Sequence, residues 1–442
     1  MLGLGTAVVP LDSALNIAFP PITAHFGLPL AEIQWMVISY VLTYGSLMLG
    51  IGRLGDIFGH ARVFRAGLAW SVVTFLLCAA APSYGWLLAG RVLQGIGAAL
   101  IISCGPALAT ALFPESYRPR ALALYTLLFS LGSVLGPSLG GVLLAQWGWP
   151  ATFWFRAPIA LTALLLLRGL PAPPTTAGRE AFDLPGAVLL ALTTGSLLLT
   201  INQARHGMAA LPWAVLFLLA LVGFLWRSGR APRPIIALRI FRLPGFALLN
   251  LSNALLNLAA FSVLLFVPYY LVRIAGLSLG LGGVVLACSA LGAMLAAAPA
   301  GWLLARLPAR RLAASGIALT GCGLGLMALW GTATPLPLII AALLLHGAGM
   351  GLLQVSYTEI VTATLPRADR GVAGSLAMMT RTLGVVSAAS LLTLLFASLE
   401  APALAAGATP AGAFLAGFTP TFAGAALLCA LVAAGLLRRK TH

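Results

Sequence analysis

Along its whole length the chain alternates long apolar stretches with brief polar breaks. The apolar stretches cover roughly 2–24, 33–51, 64–82, 85–112, 121–145, 150–168, 184–202, 209–226, 245–271, 277–304, 311–330, 335–364, 374–397 and 414–437. Most are close to the ~20 residues that a helix needs to cross a bilayer. A lone strand in lipid would leave its backbone groups unpaired, whereas a helix satisfies them within its own segment. The pattern predicts an all-α polytopic membrane protein with about 14 transmembrane helices. The longest polar interruption, GLPAPPTTAGREAFD at 169–183, is rich in Pro and Thr and reads as an internal linker.

Composition agrees. Hydrophobic residues make up 61% and charged residues 8%, against about 45–50% and about 25% in soluble domains. Spread over fourteen spans, the 442 residues leave about 32 apiece, room for a crossing and a short connection but for no soluble domain. Of the 25 Lys and Arg, Arg205 and Arg273 fall in one set of loops and Arg91, Arg156 and Arg381 within spans; the other 20 lie in the alternate loops or the C-terminal tail. Cytoplasmic loops retain Lys and Arg. The expectation is therefore a multi-pass protein of the cell membrane with both termini cytoplasmic. A formal charge of +16 would suggest nucleic acid in a soluble protein. Here inside retention and anionic headgroups account for it, and no nucleic-acid partner is expected. Cys78, Cys104, Cys288, Cys322 and Cys429 all lie in apolar stretches without metal-ligand spacing, so neither a disulfide framework nor a metal is expected. The first apolar stretch lacks a basic leader and carries Asp12 in its middle, so it reads as a span rather than a signal peptide.

The chain also repeats weakly. GRLGDIFGHARV at 52–63 aligns with GWLLARLPARRL at 301–312, and QGIGAALI at 94–101 with HGAGMGLL at 346–353. The two offsets, 249 and 252 residues, nearly coincide. Two six-span halves related by a parallel repeat are implied, a plan found in secondary transporters. The expected organisation is an N-terminal bundle at 1–168, a cytoplasmic linker at 169–183, two inserted helices at 184–226, a cytoplasmic loop at 227–244, a C-terminal bundle at 245–437 and a tail at 438–442.

A few polar residues interrupt the apolar pattern. Asp12 sits mid-span, where a charge costs roughly 2.5–3.5 kcal/mol on insertion scales. Asn16, one α-helical turn on, would share its face. Asp12 is either a proton carrier or counter-charge, or a tie between helices. Arg91 and Gln94 form a second intramembrane pair, for which function and helix locking stay equally open. Asn250, Asn253 and Asn257 make one polar stripe on an apolar helix, facing either a substrate cavity or a neighbouring helix. Tyr40 and Tyr44 could line the same cavity or simply pack. Glu359 and Arg381 lie at similar depths and could pair as a gating latch. His346, at the repeat position of Gln94, reads as a packing histidine more readily than as a proton relay. Arg156, a few residues into its span, could snorkel outward. No phosphate-cradling loop or nucleophile–base set appears, and no enzyme is expected; GAGMG at 347–351 reads as a packing motif.

On these residues the chain resembles the major facilitator superfamily, specifically its fourteen-span drug:proton antiporters of the EmrB/QacA type. GRLGDIFGHAR at 52–62 is similar to the loop motif between spans 2 and 3, with Gly52, Asp56, Gly59 and Arg62 matching its glycines, acid and base. LLAGRVLQGIGAA at 87–99 resembles the span-4 motif, whose arginine (here Arg91) the resemblance ties to proton coupling. GSVLGPSLGG at 132–141 looks like the antiporter motif, with Gly132, Gly136, Pro137, Gly140 and Gly141 in place. That face would permit close contact and bending where the halves meet. QWMVISYVL, FDLPGA, PIIALRIFR and VPYYLVRIAGLS resemble further segments of this group. LDSALNIAFP at 11–20 has one residue fewer than usual between acid and proline, and Arg156 stands where an asparagine is common.

The resemblance implies two pseudo-symmetric six-helix bundles plus two inserted helices. It also implies proton-coupled export of a small hydrophobic or amphipathic compound by alternating access, with Asp56, Arg62, Glu359 and Arg381 in the switch. The partners expected are that small-molecule substrate, protons and the lipid bilayer, with no cofactor; accessory envelope proteins cannot be read. An importer or symporter on the same fold, or a membrane sensor, remains the alternative.

Overall fold

The computed structural model describes residues 1–111, 118–169, 183–203, 208–231, 234, 245–364 and 371–438. Most of the predicted linker at 169–183, most of the loop after residue 231 and most of the tail lie outside them. Among the described residues there is helix and no strand. The chain divides into two units: Met1–Leu28 with Trp35–Ala237, and Pro29–Gln34 with Leu238–His442.

The first unit begins with a broken span. α1 (Leu2–Ala7) runs into a 3₁₀ stretch (Pro10–Ala18) and then α2 (Phe19–Phe26). Nine residues of 3₁₀ helix is long, since such runs rarely exceed about 4 residues. The prolines explain it. The carbonyls of Thr6 and Asn16 would accept from residues 10 and 20 in an α-helix, but those are prolines without an N–H. Each accepts instead from three residues on, Thr6 from Val9 at 3.2 Å and Asn16 from Phe19. The remaining helices of this unit are α3 (Gln34–Phe58), α4 (His60–Ala79), α5 (Tyr84–Ala111), α6 (Arg118–Trp147), α7 (Ala151–Trp154), α8 (Arg156–Leu166), α9 (Leu184–Gln203) and α10 (Leu211–Arg230). Gln34 itself is assigned to the second unit. α9 and α10, expected as a separate inserted pair, fall with the first unit. Ser46 Oγ of α3 lies 3.4 Å from Thr194 Oγ1 of α9.

Glycines let backbones meet. Along α6, Gly132, Gly136 and Gly140 recur every fourth residue and form a stripe without side chains. A Cβ on Gly132 would lie 2.9 Å from the Ala7 carbonyl oxygen, and one on Gly140 would lie 2.7 Å from that of Ala14. The antiporter-motif face therefore packs against the unit's own first span. Pro137, buried within α6, leaves the Ser133 carbonyl without its helical donor, and Ser13 Oγ–H donates to that oxygen at 3.2 Å.

The second unit holds α11 (Phe246–Tyr269, continued by a π-turn to Ile274), α12 (Leu279–Leu304), α13 (Ala309–Ala328), α14 (Leu336–Thr364), α15 (Gly371–Ala405) and α16 (Pro410–Arg438). Its core includes an aromatic stack in which Phe418 meets Phe422 at 4.2 Å and Tyr270 at 5.3 Å, while Phe266 stacks on Phe396 at 4.6 Å. The GAGMG motif packs as read: a Cβ on Gly347 or Gly351 would strike the backbone of α12, and one on Gly349 the backbone of α13. Its repeat partner behaves alike in the first unit, where a Cβ on Gly95 would lie 2.8 Å from the Tyr40 carbonyl oxygen.

Across both units, eleven helical segments among the described residues are long and apolar enough to cross a membrane. Ala151–Leu166 and Leu184–Leu197 are shorter apolar helices. The protein is an integral, multi-pass membrane protein.

Candidate functional site

Asp12 lies on the 3₁₀ stretch, and four donors converge on its carboxylate. Arg91 clamps it end-on, Nη1 to Oδ1 at 2.7 Å and Nη2 to Oδ2 at 2.9 Å. Arg156 Nη1 donates to Oδ1 at 2.7 Å, and Gln94 Nε2 to the same oxygen at 3.1 Å. Arg91 also donates from Nε to the Met36 carbonyl at 2.9 Å and from Nη1 to Gln94 Oε1 at 2.7 Å, and its guanidinium sits 4.1 Å above the Tyr40 ring. Tyr44 stacks edge-on to Tyr40 at 5.2 Å. Thus α5, α8 and the 3₁₀ stretch meet at one carboxylate, and Arg91 carries the link on to α3.

The cluster carries two guanidiniums and one carboxylate, a surplus of one positive charge. It is deeply placed: side-chain exposure is 1% for Arg91 and 0% for Arg156, while Asp12 keeps 14%. An ion pair in so dry a place is held by geometry, because removing one partner strands the others.

Arg156 corrects the sequence reading. It does not snorkel outward; it begins α8 and reaches Asp12 beneath the rings of Phe75 and Phe153, 4.4 and 5.7 Å from its guanidinium carbon. The signal was an arginine where an asparagine is usual. Asn16 is corrected as well. Residues in a 3₁₀ helix eclipse every third position, so a residue four on is turned by about 120°. The half-buried Asn16 therefore leaves the face of Asp12, and Leu15 takes the aligned position. Ser13, unremarked in the sequence, bridges this stretch to the antiporter motif.

In the second unit the asparagine stripe is buried and bonded to its neighbours. Tyr357 Oη–H of α14 donates to Asn250 Oδ1 at 2.7 Å, and Asn253 Nδ2 donates to Thr380 Oγ1 of α15 at 2.7 Å. Asn257 Nδ2 donates back to the Asn253 carbonyl at 2.8 Å. Asn250 and Asn253 thus link α11 to α14 and α15, while Asn257 bonds within its own helix. Tyr357 and Thr380 were the partners that the sequence did not reveal. His346 shares a 2.9 Å hydrogen bond between Nδ1 and Ser289 Oγ, a packing arrangement.

The expected latch is not formed. Glu359 and Arg381 are both exposed, and among the described residues no ion pair joins them. In the loop motif, Gly59 adopts φ +91°, a conformation that favours glycine, and opens α4 beside the exposed Arg62. The side chains at Gly52 and Asp56 lie outside the described set. Gly141 is buried on α6 beside Gly140.

Comparison with known proteins completes the description. The family model described as Major Facilitator Superfamily matches residues 2–389 and 249–442. The chain is 28% identical over 374 residues to riboflavin transporter RibZ of Clostridioides difficile, covering 84% of this chain and 82% of that one. It is 34% identical over 389 residues to the cephamycin export protein CmcT of Amycolatopsis lactamdurans, covering 84% and 79%. Its fold is similar to a crystal structure of a bacterial homolog of the human lysosomal transporter Spinster, with TM-score 0.72 and 16% identity over 98% of this chain and 94% of the other. With its helical units and a family match running almost end to end, the chain belongs to the major facilitator superfamily and is a membrane transporter rather than an enzyme.

Proposed function

We propose that this transporter exports a small hydrophobic or amphipathic compound in exchange for protons, by alternating access, from a cell membrane crossed by fourteen spans with both termini in the cytoplasm. The observation that carries the reading is the Asp12 carboxylate held between Arg91, Gln94 and Arg156. A protonatable group that joins the 3₁₀ stretch to α5 and α8 loses its ion pairs when a proton arrives, and those segments are then free to rearrange. One proton entering down 100 mV supplies roughly 2.3 kcal/mol, enough to bias such a rearrangement. Export is supported by the relatives, one of which is named for cephamycin export, and by the GSVLGPSLGG face. Asp56 and Arg62 act in the conformational switch, and Glu359 and Arg381 engage in another state of the cycle.

A second reading, proton-coupled import, is favoured by one observation: the site is already cationic, so an anionic solute and a proton would favour each other's binding. The relative named as a riboflavin transporter fits it. Everted membrane vesicles separate the two. Riboflavin and a cephamycin serve as first probes within a wider compound panel. Under an imposed proton gradient, export predicts uptake of a substrate into everted vesicles with dissipation of the gradient, both lost in Asp12→Asn. Uptake into right-side-out vesicles instead would establish import, and coupling left intact in Asp12→Asn would remove that carboxylate from the mechanism.

A further inference from the structure

Arg156 spends only Nη1 on Asp12. Its Nε and Nη2 are buried and have no hydrogen-bond partner. These two nitrogens form one edge of the planar guanidinium, a fork whose parallel N–H groups match the two oxygens of a carboxylate. A buried fork without acceptors leaves each N–H group desolvated and unpaired, and such an orphan in a native protein calls for an occupant. The charge points the same way. Two guanidiniums face one carboxylate, so a cation entering here meets a net positive charge, and four donors already converge on Asp12. An anion instead brings the cluster to neutrality. The rings of Phe75 and Phe153 cover the guanidinium and Asp12 alone of the three charged groups keeps 14% exposure, so a ligand meets the fork when the cluster rearranges during transport.

We infer that the side edge of Arg156 is the subsite for a carboxylate carried on an apolar body, so that the substrates of this transporter are amphipathic organic acids. The inference rests on the reading of the Asp12 cluster as the transport site, narrows that reading to one substrate class and holds for either direction of transport. Arg156 acts by direct contact with the ligand, whereas Arg91, each of its nitrogens already bonded to Asp12, Gln94 or Met36, positions the acid.

Three probes of one shape and three charges test it: benzoate, benzamide and benzylammonium. Binding to the purified full-length protein in detergent is measured by calorimetry and by the shift in thermal unfolding. Benzoate is expected to bind about tenfold or more tightly than either other probe, a difference of about 1.4 kcal/mol or more. Arg156→Asn is expected to abolish that preference, and Arg156→Lys, which keeps the charge without the fork, to retain only part of it. Equal binding of benzoate and benzamide to the unaltered protein, or wild-type benzoate affinity in folded Arg156→Asn, would overturn the inference. So would absence of benzoate binding, which would leave the fork to ordered water. The probe series needs no variant, so misfolding of Arg156→Asn leaves the comparison decisive. Benzoate preference without proton-driven export would sink the export reading alone; export without that preference would sink the anion subsite alone.

Discussion

Replacing Gly140 with alanine should disable the Asp12 site without touching any of its residues. The added Cβ would lie 2.7 Å from Ala14 Cβ, 2.7 Å from the Ala14 carbonyl oxygen and 2.8 Å from its Cα. Ordinary contact begins at 3.4 Å, so the 3₁₀ stretch must retreat by about 0.7 Å, and backbone cannot swing aside as a flexible side chain would. Overpacking of this kind costs about 1–3 kcal/mol. Asp12 stands two residues before Ala14, and its bonds to Arg91 are 2.7 and 2.9 Å long. A retreat of that size carries them past the ~3.2 Å limit of good geometry. Thermal unfolding of the purified protein should show the loss, and vesicle transport should fall about tenfold or more, the equivalent of ~1.4 kcal/mol. Gly424→Ala on α16 is the control: its Cβ would meet nothing within 4 Å, and alanine there is neutral or stabilising by up to about 1 kcal/mol. If Gly140→Ala and Gly424→Ala are equally stable and equally active, the close-packed seam does not set the position of the carboxylate.

Further substitutions probe the other contacts. Asp12→Asn should destabilise the protein by about 3–5 kcal/mol, because two buried guanidiniums lose their counter-charge. Adding Arg156→Asn should recover part of that loss in thermal unfolding; a strictly additive double variant would deny the coupling. At the second unit's polar stripe, a double-mutant cycle of Asn253→Ala and Thr380→Val should return about 1 kcal/mol of interaction energy between α11 and α15, and zero coupling would mean that the amide is occupied elsewhere. Asp183 caps α9 through the Gly186 N–H at 3.1 Å and accepts from Arg227 Nε at 2.7 Å. Asp183→Ala should therefore cost more than Asp183→Asn, which keeps an oxygen able to cap α9. The reverse order in urea or thermal unfolding would refute the capping role.

Where residues repeat with the period of a helix in lipid, the sequence was readable. Span positions and the family followed from apolar length and from the spacing of glycines around Arg91 and Pro137. Asp12, Arg91 and Gln94 stood out because a charge or amide is expensive there. What escaped detection depended on contacts between distant segments. The role of Arg156 turns on a partner 144 positions away, and a residue near a span end can equally turn outward. The error at Asn16 came from assuming 3.6 residues per turn between prolines that deny the backbone two donors. The asparagine stripe was visible, but an amide facing water and one facing Tyr357 or Thr380 leave the same mark on their own helix.

The contact between α6 and residues 7–14 has a mechanical consequence. With carbonyls and Cα atoms touching directly, no layer of flexible side chains is left to absorb displacement, so the two rods form a stiff bearing. Ser13 fastens that bearing at Pro137, the residue about which α6 would bend. Any tilt of α6 is thus delivered almost undamped to the neighbouring carboxylate, and any shift of that carboxylate pushes back through the same joint.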